Sequence, residues 1–247
     1  MDNLLFIVLR HVASPHFNTF SRTHNDYWVK CCESIRKFYN DKIIIIDNYS
    51  DEDYIENVEF SNCEVIKSTY HPHLRLYLPF LIALNINFER TVIIHDGTIF
   101  QKYVDFSIFD NVKYLWHFDT KLYDDHNLIH QQLSCLKNND GLFNVFKNKM
   151  FTGCLGSSLA ITKKFLLEIE EKYCISKLST VIHSKEHAVA FERTISIICF
   201  ELYPKLINDL SFEGEISNMI WGLKNENFKE NKEKIKNKSI IKLFGAR

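Results

Sequence analysis

The sequence predicts an α/β fold on a mainly parallel sheet, and three observations carry that prediction. Uncharged apolar runs recur at Leu4–Leu9, Ile43–Ile46 and Thr91–Ile94, the composition of strands buried on both faces. Stretches with helical spacing separate them, as crossover connections between parallel strands require. Each run also stops abruptly in polar residues: Arg10-His11, Asp47-Asn48 and His95-Asp96-Gly97-Thr98.

Taken in order, Leu4–Leu9 is the first strand, and Arg10-His11-Val12 its polar exit. A loop with Pro15, Asn18, Ser21 and Thr23 leads to a helix over about Asn25–Tyr39, where Tyr27, Trp28, Cys31, Cys32, Ile35 and Phe38 share one face. Ile43–Ile46 is the second strand. Acidic residues 51–56 lead to a weaker third strand, Cys63–Ile66. Leu74–Leu84 reads as a helix, with Pro79 in an irregular first turn. The fourth strand, Thr91–Ile94, is followed by a polar interruption and then by apolar Ile99-Phe100.

In the second half, Val112–Phe118 is expected as one strand and Asn127–Leu136 as a helix. Met150–Thr162 is a glycine-containing loop entering a strand. Lys163–Tyr173 and His187–Leu202 are helices, the second largely apolar. No repeat or linker is visible, so one domain is expected over 1–222, with a nucleotide half of about 1–110 and an acceptor half of about 111–222. Residues 223–247 are Lys-rich and are expected as an exposed helix or loose tail, broken by Ile235, Ile240, Ile241, Leu243 and Phe244.

A formal net charge of -1 supplies no global attraction for nucleic acid. The cysteines number 7, an odd count without a C-x-x-C pair, which reads as reduced, core-filling thiols rather than a disulfide framework or zinc site. Leu4–Leu9 is too short for a signal-peptide core or membrane span. Cytoplasmic residence is expected, with peripheral membrane contact through the tail left open.

A parallel sheet places Arg10-His11, Asp47 and His95-Asp96-Gly97-Thr98 on one rim, outside the carboxyl ends of the strands, where ligands of such sheets bind. Asp47 is suited to a base or ribose, Asp96 and Thr98 to a diphosphate or its metal ion, and Arg75 to phosphate charge. Neither G-x-G-x-x-G nor G-x-x-x-x-G-K-[ST] occurs, which argues against a Rossmann dehydrogenase or P-loop enzyme. Glu192 lies inside the apolar stripe Ala188, Phe191, Ile195, Cys199 and Leu202. A carboxylate there requires a partner or a raised pKa. It reads either as a general base or as half of an ion pair with Arg193 or Arg10. Trp116 reads as core, His95 as a strand-end histidine bonded to backbone, and His71 and His73 as exposed loop residues.

In this order, WVKCCESIRKFYNDKIIIIDNYS (28–50), Leu78-Pro79, TVIIHDGTIFQK, YLWHFDT, TGCLGSSLAIT and AFERTISIICF resemble the small GT-A glycosyltransferases of large DNA viruses and some microbes, over roughly residues 4–222. The resemblance implies a GT-A-like fold and transfer of a sugar from a nucleotide sugar, UDP-linked by preference, to an acceptor hydroxyl on a glycan or protein. By position, Arg10, His11 and Val12 match the loop holding the base, and Asp47 the acid contacting uracil or ribose. Asp96-Gly97-Thr98 stands at the D-x-D position. Thr98 departs from that pattern where a second carboxylate would bind Mn²⁺ or Mg²⁺, so metal dependence is left open.

Gly153, Cys154, Leu155, Gly156 and Ser157 match the loop lining the donor sugar, and Trp221 is a candidate to close over it. Glu192 is the first choice for the base, with Glu186 and Asp119 in reserve, and inversion is favoured because one base suffices. A nucleotidyltransferase and a non-catalytic sugar-nucleotide-binding or scaffold protein are the alternatives.

Overall fold

A computed structural model describes residues 4–12, 26–119, 125–218, 223 and 227–244. The loop with Pro15, Asn18, Ser21 and Thr23 and the expected site residue Trp221 lie outside the described residues.

The fold is mixed α/β, with a mostly parallel central sheet flanked by helices. The chain forms β1 (Leu4–Arg10), α1 (Tyr27–Arg36), β2 (Lys42–Asp47), β3 (Cys63–Lys67), α2 (Leu78–Ala83), β4 (Arg90–His95) and β5 (Thr98–Phe100). It continues through β6 (Val112–Tyr114), β7 (His117–Phe118), α3 (His126–Ser134), α4 (Asp140–Lys147), β8 (Gly153–Cys154), β9 (Leu159–Thr162), α5 (Lys163–Tyr173) and α6 (Lys185–Leu202). Last come α7 (Lys232–Ile235) and β10 (Ile240–Lys242).

The central sheet has the order β3-β2-β1-β4-β9-β6. β3, β2, β1 and β4 run parallel, while β9 is antiparallel to both β4 and β6. Alternation along the strands splits the core in two. Ile7, Ile44 and Ile93 pack into one cluster with α5 and α6, whereas Val8, Ile45 and Ile94 pack into the other with α1. Burial on both faces is why the interiors of β1, β2 and β4 carry no charge, which is confined to their end residues.

Several details depart from the expectations. Leu74–Leu84 is a 3-10 turn at Pro72–Leu74 followed by α2, with Pro79 in its first turn, where a missing N–H costs nothing. The C-terminal end of α2 is closed from a distance. The Lys163 ammonium donates to the carbonyls of Ala83, Leu84 and Ile86 at 2.8, 2.9 and 2.7 Å. Val112–Phe118 is two strands rather than one, because β6 pairs with β9 and β7 with β8. Helix α4 was not expected.

The largest correction concerns the Lys-rich tail. β10 pairs antiparallel with β5, and Ile235, Ile240, Ile241 and Leu243 are buried. The apolar residues that interrupt the lysines are therefore the docked face of the segment. Its backbone is held as well, since Glu213 accepts the N–H groups of Ser239 and Ile240, both at 2.8 Å. Every cysteine is free; Cys31, Cys32, Cys154 and Cys199 are buried, and Cys63, Cys135 and Cys174 are half-buried. Among the described residues no helix is long and apolar enough to cross a membrane.

Candidate functional site at the carboxyl ends of the parallel strands

Because β1, β2 and β4 are parallel and in register, Arg10 lies beside Asp47, and Leu9 beside His95. The Arg10 guanidinium meets Asp47 Oδ2 at 2.7 Å and stands 4.8 Å from the centre of the Trp28 ring. The other oxygen of Asp47 accepts the Ser50 N–H at 3.1 Å. Both side chains are almost sealed from solvent, so this pair fixes the ends of two strands rather than presenting a bare carboxylate. The next residues tie the rim together. His11 N–H donates to Asp96 Oδ2 at 3.2 Å, His11 Nδ1 pairs with the Asn48 carbonyl at 2.7 Å, and Val12 N–H donates to Ser50 Oγ at 2.9 Å. Arg10, His11, Val12, Asp47 and Asp96 thus meet in one place, as the strand order requires.

Asp96 is only 5 % exposed. Burial pushes its carboxyl up to about 6, against the opposing pull of Lys242, the His11 and Gly97 N–H groups and Arg10. Lys242 lies directly across the β5–β10 ribbon from Thr98, and Leu243 N–H donates to the Gly97 carbonyl at 2.7 Å. Directly opposed residues put their side chains on the same face. The half-buried ammonium of Lys242 is pulled down to about 8, first by burial, while Asp96, Cys31 and Glu192 favour its charge.

This donor set does not fit Mn²⁺ or Mg²⁺. It offers one carboxylate that already accepts an N–H, one neutral hydroxyl and an adjacent cation, whereas such ions seek several oxygen ligands. Among the described residues no group of three or more His, Cys, Asp or Glu could hold a metal ion.

The antiparallel β9 brings the loop before it over the end of β4. His95 Nε2 pairs with the Gly156 carbonyl at 2.7 Å, the backbone role expected for it. Gly156 and Ser157 have φ of 60° and 51°, left-handed values that suit glycine and strain serine. Glu192 fastens this turn from α6. Its Oε1 accepts the Gly156 N–H at 2.9 Å and its Oε2 meets Arg193 at 3.0 Å. The partner of Glu192 is therefore Arg193 and not Arg10. Burial lifts its carboxyl to about 7, while Arg193, the Gly156 N–H, Lys242 and Arg75 hold it down.

Two of the expected donor-sugar residues have other work. A Cβ on Gly153 would sit 2.1 Å from the Phe118 ring, so that glycine is required by packing across the β7–β8 pair. Cys154 is fully buried, and its thiol donates to the Ser158 carbonyl, so it faces core rather than sugar. Arg75 is near enough to Glu192 and Glu186 to feel both, and its Nε is buried without a hydrogen-bond partner.

Glu186, exposed in the first turn of α6, lines a cavity of about 280 Å³ with Asp125, Ile129, Lys185, Val189 and Arg193. Asp119 is exposed just beyond Phe118, whose ring lies 4.3 Å from the Arg193 guanidinium. Trp116 is fully buried core.

Two residues at this rim were missed. Tyr49 follows the end of β2 with φ of 60° and its ring half exposed. Lys242 did carry a signal, standing between Ile240-Ile241 and Leu243-Phe244, the most apolar stretch of the tail.

No protein-family model matches the chain, and no curated protein is similar to it in sequence. Among solved structures, it is similar to the galactosyltransferase LgtC, solved in complex with donor and acceptor sugar analogs. The identity is 8%, the match covers 98% of this chain and 87% of that one, and the TM-score is 0.43. At that identity and score the likeness says nothing further about this chain.

Proposed function

We propose that this chain is a glycosyltransferase that moves a sugar from a nucleotide sugar, UDP-linked by preference, to an acceptor hydroxyl. One observation carries the reading. Three of the buried polar atoms without a hydrogen-bond partner, Asn48 Oδ1, Thr98 Oγ1 and Ser157 Oγ, belong to the segments that follow β2 and β4 and to the turn over the end of β4, at the carboxyl rim of a parallel sheet. Buried polar atoms are rarely left unpaired, and each such group calls for an explanation. A polar ligand across the ends of β1, β2 and β4 supplies one, at the place where these sheets bind ligands. The motif order along the chain supports a nucleotide sugar as that ligand, and the absence of a glycine-rich phosphate loop sets aside dinucleotide and P-loop chemistry.

In this reading the base and ribose lie over the loops after β1 and β2, held in shape by Arg10, Asp47 and His11, with Tyr49 offering a ring for stacking. The diphosphate sits at Asp96-Gly97-Thr98, with Arg75 nearby. The donor sugar lies against the Gly156–Ser157 turn, and the acceptor enters from the cavity lined by Glu186, Val189 and Arg193. Glu192 takes the proton of the acceptor hydroxyl as its oxygen bonds to the anomeric carbon. The bond from that carbon to the diphosphate oxygen breaks with its electron pair, and the nucleotide diphosphate leaves. One base acting in one displacement inverts the anomeric centre.

The test is incubation with a panel of UDP- and GDP-sugars, reading nucleotide release, with NMR of the product anomer. Release from one donor class, lost in Asp96→Ala while the fold persists, is expected. No release and no thermal shift with any nucleotide would overturn the reading. A second reading rests on Glu192, both of whose oxygens already accept hydrogen bonds, as a purely structural carboxylate's do. A protein that binds a sugar nucleotide without turning it over would give a thermal shift and no release.

A further inference from the structure

A carboxylate beside a diphosphate is a repulsive arrangement unless positive charge lies between them. If the diphosphate lies at Asp96, as the proposed function has it, something cationic has to accompany it, and the donor set there suits a divalent ion poorly. The C-terminal strand brings a cation to the same spot. Lys242 is register-paired with Thr98 on the same face of the ribbon, its ammonium interacts electrostatically with Asp96 and Glu192, and Thr98 Oγ1 is buried without a hydrogen-bond partner.

We propose that Lys242 is the phosphate-binding cation of this site, standing between Asp96 and the diphosphate, so that the nucleotide binds without metal. This rests on the nucleotide-sugar reading above and adds to it the identity of the counter-charge. An ammonium with three donors can reach a carboxylate oxygen and phosphate oxygens together. It also neutralises the charge that builds on the leaving diphosphate.

Anchoring the strand does not account for the lysine. β10 is already held by its ladder with β5, by Glu213, by Gln101 Nε2 on the carbonyls of Ile235 and Lys238, and by four buried apolar side chains. An apolar side chain at 242 would dock the strand at no desolvation cost, whereas an ammonium there gives up hydration.

The experiment is calorimetric titration of the full chain with UDP and with uridine, each in EDTA and in Mn²⁺, for the native protein, Lys242→Met and Lys242→Arg. UDP is expected to bind native protein equally well in EDTA and in Mn²⁺. Lys242→Met should weaken UDP roughly tenfold or more, the scale of a lost charged hydrogen bond. It should leave uridine unchanged, and Lys242→Arg should recover most of the loss.

UDP binding that vanishes in EDTA and returns with Mn²⁺ would overturn the inference while leaving the nucleotide-sugar reading intact. Equal weakening of uridine and UDP by Lys242→Met would also overturn it, since the strand would then act through the fold. Should Lys242→Met fail to fold, Lys242→Gln, which keeps a polar head without the charge, takes its place in the same titrations. Native protein that binds neither ligand would remove both proposals together.

Discussion

Glu192 Oε1 accepts the Gly156 N–H at 2.9 Å, joining the middle of α6 to a left-handed turn that covers the end of β4. The bond ties the carboxyl proposed as the base to the backbone proposed to meet the donor sugar, so one residue is assigned both a structural and a chemical role. The two roles separate by experiment.

Glu192→Gln keeps an acceptor for the Gly156 N–H and removes the base. Turnover should fall roughly 10²- to 10⁴-fold, with UDP affinity nearly unchanged. In the native protein the rate of the proposed transfer should rise with pH through about 7 as this carboxyl ionises among Arg193, the Gly156 N–H, Lys242 and Arg75. Stability runs the other way. A folded-state pKa above the usual carboxylate value means that the folded protein binds the extra proton, so stability from this group declines as pH rises from about 4.5 to about 7. Urea unfolding across that window should show the slope, and Glu192→Gln should flatten it.

The Arg10–Asp47 pair should behave as a buried pair. Removing one partner, as in Asp47→Leu or Arg10→Met, leaves an uncompensated charge and should cost about 3–5 kcal/mol. The double variant should recover part of that loss in urea unfolding, because both charges are gone. A double variant no better than the worse single one would mean that their contacts to Ser50 and Trp28, not the pair itself, hold the rim.

Gly153→Ala places a methyl into the Phe118 ring and should destabilise by about 1–3 kcal/mol, the usual cost of overpacking. Combining it with Phe118→Ala should remove the clash term, so the two changes should be less than additive. A fully additive result in thermal unfolding would show that the glycine is needed for some reason other than the ring.

Lys163→Met deletes the ammonium that closes α2. It leaves partly buried carbonyls at Ala83, Leu84 and Ile86 without a donor, and about 1–3 kcal/mol should be lost. Hydrogen exchange should quicken first in α2. Unchanged protection there would show that water replaces the lysine without cost.

Much of the rim was legible in the sequence. A strand buried on both faces must be apolar until it leaves the sheet, so the stops at Arg10, Asp47 and His95 marked the strand ends. Parallel order then put those ends on one side. Glu192 stood out for the same reason, as a charge inside an apolar stripe.

Which partner each of these residues took was decided only in three dimensions. Periodicity reports that a side chain is buried, not what it meets. The contacts that make the site, His11 with Asp96, Glu192 with Gly156 and Lys242 opposite Thr98, join segments far apart in the chain. Their geometry comes from strand register and helix docking, which no local window contains. The C-terminal segment shows the difference most plainly. Its lysines read as a solvated tail, yet the few apolar residues among them found the free edge of β5 and carried Lys242 to the strand ends.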